Sequence, residues 1–226
     1  MMDRLVSVII PVFNGERFLA EAIESVRAQS HEHWELLVIN DGSTDATPEI
    51  VSRYPEARYL RQDHQGQARA RNWGVELAAG EFIAFLDADD IWIPNKLKDQ
   101  MNAFESDPGL DVVYGLAQVI LEPGAGEPPG WQNAGSTLPS RLPSAMLVRK
   151  AAFLRVGGFD DSLSTAEGIE WCARAEHLGL RRRILEEVVY RRRIHDRNTA
   201  RLTDQSRMEY LRTVREALNR AQGDAG

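Results

Sequence analysis

Phe82-Ile83-Ala84-Phe85-Leu86-Asp87-Ala88-Asp89-Asp90-Ile91-Trp92 joins an apolar run directly to three carboxylates. A short, unbroken apolar run marks a strand covered on both faces, whereas alternation marks a strand with one wet face. Glu81 to Leu86 therefore predicts a buried strand that delivers Asp87 and Asp89 at its carboxyl end. Leu5 to Val12 and Trp34 to Asn40 are runs of the same kind. Between them Phe18, Leu19, Ala22, Ile23 and Val26 recur at helical spacing. Thr47-Pro48 opens another helix carrying Ile50 and Val51, Ala57 to Leu60 reads as extended, and Gln67 to Leu77 reads as helix. This alternation predicts an α/β fold with a mainly parallel central sheet and helices on both faces. Ligands of such sheets bind beyond the carboxyl ends of the strands, where Asn14, Asp41 and Asp87 fall.

Downstream, the pattern predicts a helix over Asn95 to Phe104 and a strand over Val112 to Ile120. The Pro- and Gly-rich segment 121–143 predicts a long loop, either a lid or a disordered connector. Ser144 to Val148 reads as a strand and Ile169 to Leu178 as a helix, and Met208, Leu211, Val214 and Leu218 give a last helix one apolar face. With 226 residues, 43% of them hydrophobic, the chain fits a single domain. No apolar run approaches the roughly 20 residues that span a bilayer, and the single Cys172 suits a reducing compartment, so a cytoplasmic location is expected. Residues 1–140 carry 10 Lys+Arg against 22 Asp+Glu, and residues 141–226 carry 17 against 12. An acidic half suits metal binding. Arg181-Arg182-Arg183 and Arg191-Arg192-Arg193 are either solvated faces or a surface for phosphate or for peripheral contact with an anionic membrane. The acidic balance and the lack of a recognised motif argue against nucleic acid.

Asp87-Ala88-Asp89 packs like charges that repel unless a cation or strong donors offset them. Hard oxygen ligands suit Mg2+ or Mn2+, and such ions keep few protein ligands and bridge substrate phosphates. The competing reading is an acidic turn capping the chain before Pro94. Trp92 stacks on a sugar ring or belongs to the core.

Four segments in order, Val6-Ser7-Val8-Ile9-Ile10-Pro11-Val12-Phe13-Asn14, Asn40-Asp41-Gly42-Ser43-Thr44-Asp45, Gly66 with Ala70-Arg71-Asn72, and Phe85-Leu86-Asp87-Ala88-Asp89-Asp90, resemble the family 2 glycosyltransferases. The resemblance is close from Leu5 to about Lys98, resumes over Met146 to Phe159, and is loose through Asn198. It implies the A-type nucleotide-diphospho-sugar transferase fold in one domain, 1–226. Within it, 1–98 would be the nucleotide-binding half, 99–200 the acceptor side and 201–226 a helix and tail. The implied donor is a nucleoside-diphosphate sugar, a UDP-sugar first, and the acceptor is open.

By the same resemblance Pro11, Phe13 and Asn14 line the nucleotide pocket, with Phe13 where Tyr is more usual. Asp41 would hydrogen-bond the base, against its alternative as an Asx turn in Asp41-Gly42-Ser43. Arg71, or Arg69 in its stead, would approach the base or diphosphate. Asp89 would ligate the cation, Asp87 would contact the ribose or the cation through water, and His195 of His195-x-x-Asn198 would approach the same ion. Inverting transfer needs a general base. The family commonly has Glu-Asp after Gly-Gly-Phe-Asp, but here Gly157-Gly158-Phe159-Asp160 is followed by Glu167-Gly168, so the expected Asp is missing. Glu167 is the candidate base and Glu170 its alternative, while Ser164-x-x-Glu167 also reads as a capping box. Two other functions fit parts of the pattern. A phosphatase would use Asp87 as nucleophile, and a nucleotide-sugar-binding protein would have lost transfer.

Overall fold

β1 (Val6–Val12) is buried along its whole length. Successive strand side chains point to opposite faces, so both of its faces are covered, as its run rich in Val and Ile predicts. Each fully buried Ile or Val in such a strand contributes about 1.5–3 kcal/mol relative to exposure. The computed structural model describes residues 4–125, 135–163, 165–198 and 212.

After β1 come α1 (Leu19–Arg27), β2 (Trp34–Asn40), α2 (Thr47–Val51), β3 (Ala57–Arg61), α3 (Gln67–Leu77), β4 (Phe82–Phe85), β5 (Ile91–Trp92), α4 (Lys96–Ser106) and β6 (Val112–Leu121). The chain continues through β7 (Thr137–Ser140), a 3-10 turn (Pro143–Ala145), β8 (Leu147–Arg149), α5 (Lys150–Val156), α6 (Glu167–His177) and β9 (Arg182–Ile194). The strands form one sheet in the order β3-β2-β1-β4-β8-β6-β9-β5, with β7 added to β6.

The parallel expectation holds for β3, β2, β1 and β4. Beyond β4 the sheet is mixed: β8 runs antiparallel to both β4 and β6, β9 runs parallel to β6, and β5 closes antiparallel on β9. The register of β4 with β1 ends at Ile9↔Phe85 while β2 follows β1 to Val12↔Asn40. The two neighbours of β1 therefore end at different heights, and a crevice opens above β4.

Several boundaries differ from the sequence reading. The 121–143 segment holds β7, which pairs Thr137 to Ser140 with Gln118 to Gly115. The strand expected over Ser144 to Val148 is a 3-10 turn followed by β8, because Pro143 favours a helical start. α6 begins at Glu167, two residues before the expected Ile169, with Ala166 as N-cap and no side-chain cap. β9 was not expected at all. Trp92 belongs to the core, 2% exposed, and its Nε1 donates to the Ser144 carbonyl. The last apolar helix and Ser164 lie outside the described residues.

Candidate active site

The three crowded carboxylates beyond β4 are separated by giving each a different set of partners. Asp87 Oδ1 accepts from Arg71 Nη2 at 2.5 Å and from Gln67 Nε2 at 3.1 Å. Asp89 Oδ2 accepts from His195 Nε2 and from Asn198 Nδ2, each at 3.0 Å. Asp90 is buried and accepts the Arg193 backbone N–H at 3.0 Å. Its own burial, and then the charges of Asp89 and Asp87, push its pKa well above the usual carboxylate range.

These residues line an open cleft with Arg71, Glu167 and Asn198 among its walls. Arg71 comes from α3 and is 1% exposed. Its fork holds Asp87 with Nη2 and Glu167 with Nη1, so one cation ties the end of β4 to the first residue of α6. Burial alone depresses its pKa, but Asp87 and Glu167 more than offset this and hold the guanidinium charged. Both Nη groups of Arg71 are thus occupied by carboxylates, while its buried Nε has no partner. Arg69 does not replace it, being exposed and paired with Asp161 at 3.6 Å.

Glu167 is buried and uses Oε1 on Arg71, while its Oε2 is buried with no partner. An acceptor-only oxygen buried without a donor is an unmet hydrogen-bonding demand, and it belongs to a residue that lines the cleft. Glu170, its alternative, is occupied by Arg174 Nε through both oxygens, at 2.8 and 2.9 Å. Gly168 stands against the 3-10 turn, and a Cβ there would lie 2.8 Å from Pro143 Cδ. The position where the resemblance expects an Asp is thus filled by a proline ring.

His195 is 6% exposed, behind Asp89. Its Nδ1 accepts the Arg197 N–H at 3.1 Å, which leaves the proton on Nε2 and makes the ring a donor to Asp89. As arranged, His195 aims Asp89 and does not offer a lone pair to an ion. Arg193, missed in the sequence reading, supports the same loop. Its Nε donates to the Asp89 carbonyl at 2.9 Å, its Nη groups pair with Glu21 and Glu122, and it covers the Phe18 ring at 4.4 Å. Other arginines of the two runs also have partners: Arg181 and Arg183 pair with Asp107, and Arg182 pairs with Glu176. Among the described residues no three His, Cys, Asp or Glu form a protein cage for a metal. A cation that takes Asp89, a water on Asp87 and its remaining ligands from a diphosphate does fit this donor set.

Pro11, Phe13, Asn14 and Asp41 gather at the neighbouring ends of β1 and β2. Pro11 is buried, and Phe13 is 48% exposed. Asn14 adopts φ 51°, a left-handed conformation that Asn tolerates, and its side chain accepts the Thr44 N–H at 2.9 Å. Asp41 is 2% exposed, and its Oδ1 accepts from Gln62 Nε2 at 2.7 Å and from the Gln65 N–H at 2.8 Å. Its Oδ2 accepts from the Gly66 N–H at 2.9 Å and lies 2.8 Å from His64 Nδ1. The Asx turn at Asp41-Gly42-Ser43 belongs instead to Asn40, whose Oδ1 accepts the Ser43 N–H. Gln67, next to Gly66 and bonded to Asp87, connects this group to the cleft.

The model of the family described as glycosyl transferase family 2 matches residues 7–155. Over 123 residues, 53% of this chain and 48% of the relative, the chain is 41% identical to UDP-Glc:alpha-D-GlcNAc-diphosphoundecaprenol beta-1,3-glucosyltransferase WfgD of Escherichia coli. The chain covers less than half the length of the curated relatives it matches first. The S. aureus TarS 1–349 structure in complex with UDP-GlcNAc superposes with a TM-score of 0.75 at 23% identity, over 95% of this chain and 66% of that one. The mannosyltransferase PcManGT from Pyrobaculum calidifontis, in complex with GDP-Man and Mn2+, gives 0.66 at 20% identity over 85% and 58%. These likenesses identify the fold as that of the A-type nucleotide-sugar transferases.

Proposed function

This chain belongs to glycosyl transferase family 2, and from that premise we propose that it moves a sugar from a nucleoside-diphosphate donor to an acceptor hydroxyl with inversion. Donors of this kind, UDP-GlcNAc and GDP-Man, occupy the two structural neighbours. The observation that carries the reading is one cleft joining the strand-end carboxylates Asp87 and Asp89 to Glu167 at the start of α6. Asp89, aimed by His195 and Asn198, would hold Mn2+ or Mg2+ directly, and Asp87 would hold it through water. When bound, such an ion supplies Lewis-acid stabilisation of the charge that grows on the departing diphosphate.

Glu167 Oε2 is the proton acceptor in this reading. Arg71 fixes the carboxylate through Oε1, so the unpartnered oxygen is held in one place for an acceptor hydroxyl. The hydroxyl proton passes to Oε2 as its oxygen bonds to the anomeric carbon and the diphosphate leaves. The experiment is a screen of UDP-, GDP- and dTDP-sugars with Mn2+ against hydroxyl acceptors, read as release of nucleoside diphosphate. Wild type should release it and Glu167→Gln should release at least a hundredfold less. Equal rates in the two proteins would remove Glu167 from the chemistry.

One observation favours a second reading, nucleotide-sugar binding without transfer. Arg71 already occupies one oxygen of Glu167, and Gly168 offers no side chain beside it. Donor binding with no transfer and no donor hydrolysis in the same screen would select this reading. The phosphatase reading is set aside by family membership.

A further inference from the structure

His64 stacks on Phe13 with ring centroids 4.1 Å apart and planes 27° from parallel. Both side chains remain half in solvent, at 58% for His64 and 48% for Phe13, so the pair is an exposed stack beyond the ends of β1 and β3 and not part of the core. The loop carrying His64 links β3 to α3 and lies beside the ends of β1 and β2. The imidazole is also anchored edge-on. Its Nδ1 lies 2.8 Å from Asp41 Oδ2 and 3.1 Å from the Asp41 carbonyl oxygen. Both partners are acceptors only, so Nδ1 carries the proton and donates it.

A planar heterocycle with one face on Phe13 and a ring N–H on Asp41 is what a uracil, thymine or guanine base would be in the same place. We infer that His64 is a stand-in for the nucleobase: it occupies the base subsite in the free protein and leaves when the donor binds. The inference rests on the donor-nucleotide reading above. Asp41 makes the exchange necessary, because a carboxylate accepts about four hydrogen bonds and all four places are taken. Two of those donors are the backbone N–H groups of Gln65 and Gly66, which hold the loop in its fold. Gln62 is half-buried. His64 is the exposed donor, and its departure leaves the other three in place.

His64 therefore sets the affinity of the subsite, while discrimination among bases stays with Asp41. The base must carry a ring N–H to replace the imidazole on Asp41, which selects UDP and GDP over CDP. It must also compete with a side chain tethered next to its subsite, and such a competitor reduces apparent affinity by the fraction of protein in which the subsite is free.

The test is titration calorimetry of UDP, GDP and CDP with Mn2+ on wild type, His64→Ala, His64→Phe and Phe13→Ala. His64→Ala is expected to bind UDP or GDP about tenfold more tightly than wild type. His64→Phe keeps a ring over Phe13 and should bind more weakly than His64→Ala. Phe13→Ala loses the platform and should bind more weakly than wild type. CDP should bind least in every protein. Binding that His64→Ala leaves unchanged or weakens overturns the proposal alone, as does CDP binding equal to that of UDP and GDP. Absence of nucleotide binding in all four proteins overturns the donor reading and the proposal with it.

Discussion

Arg71 shows why single residues decide this site. One buried guanidinium neutralises a carboxylate from β4 and one from α6, and removing it leaves both in a poorly solvated wall. Breaking a buried pair from one side typically destabilises by about 3–5 kcal/mol. Arg71→Ala is expected to fall in that range by urea denaturation, and a loss below about 1 kcal/mol would show that the carboxylates find other partners. Lys96 makes a prediction in pH. It is 1% exposed, donates to Gln100 Oε1 at 2.7 Å and to the Met146 carbonyl at 3.3 Å, and burial lowers its pKa well below the ordinary value. A lysine whose folded-state pKa is depressed releases its proton earlier in the folded than in the unfolded chain. Wild-type stability should therefore gain from this group as pH rises from the lowered pKa towards about 10.4. Lys96→Met should lack that gain, so its melting temperature relative to wild type should be highest at the low end of the pH range and should fall as pH approaches 10. A difference independent of pH would contradict the assignment. The polar types at the site were readable in the sequence because their spacing from strand ends was. Which group each would hold was not, since Arg71 and Glu167 lie 96 positions apart.

At the scale of elements, the contact between the Pro143–Ala145 turn and α6 shapes the cleft wall. Gly168 is needed there for close approach, since a Cβ would meet Pro143 Cδ at 2.8 Å and Cγ at 3.1 Å. Overpacking of this kind costs about 1–3 kcal/mol. Gly168→Ala should lose stability in that range, and Pro143→Ala in the same chain should restore part of it. A double-mutant cycle by denaturant titration that finds no coupling would show that the turn yields freely. The parallel half of the sheet was legible because β1, β2 and β4 are runs rich in Val, Ile, Leu and Phe between helix-period segments. β9 was not, and its burial explains this. It alternates poorly, carries five arginines, and shifts register against β6 between Tyr114 and Ala117. Arginines Arg181 to Arg183 and Arg193 find their partners on Glu21, Asp107, Glu122 and Glu176, which no local window reveals. β7 was hidden for a similar reason, since Pro139 in a four-residue strand reads as a breaker and is tolerated only on an edge.

Across the whole molecule, the sheet delivers one set of groups from the ends of β1 and β2 and another from the end of β4, with Gln67 between them. The first set, Phe13 and Asp41, suits a planar base. The second, Asp87 and Asp89, suits a diphosphate and its counter-ion, and Glu167 completes the far end of the same cleft. In the proposed reading, base, diphosphate, sugar and acceptor would follow one another along the rim in that order. The direct measurement is the affinity of UDP and GDP by titration calorimetry for wild type and Asp89→Asn, each with Mn2+ and with EDTA. Micromolar binding of at least one nucleotide to wild type with Mn2+, weakened at least tenfold both by EDTA and by Asp89→Asn, is the predicted result. Binding that neither change weakens, or no binding of either nucleotide, would contradict the account.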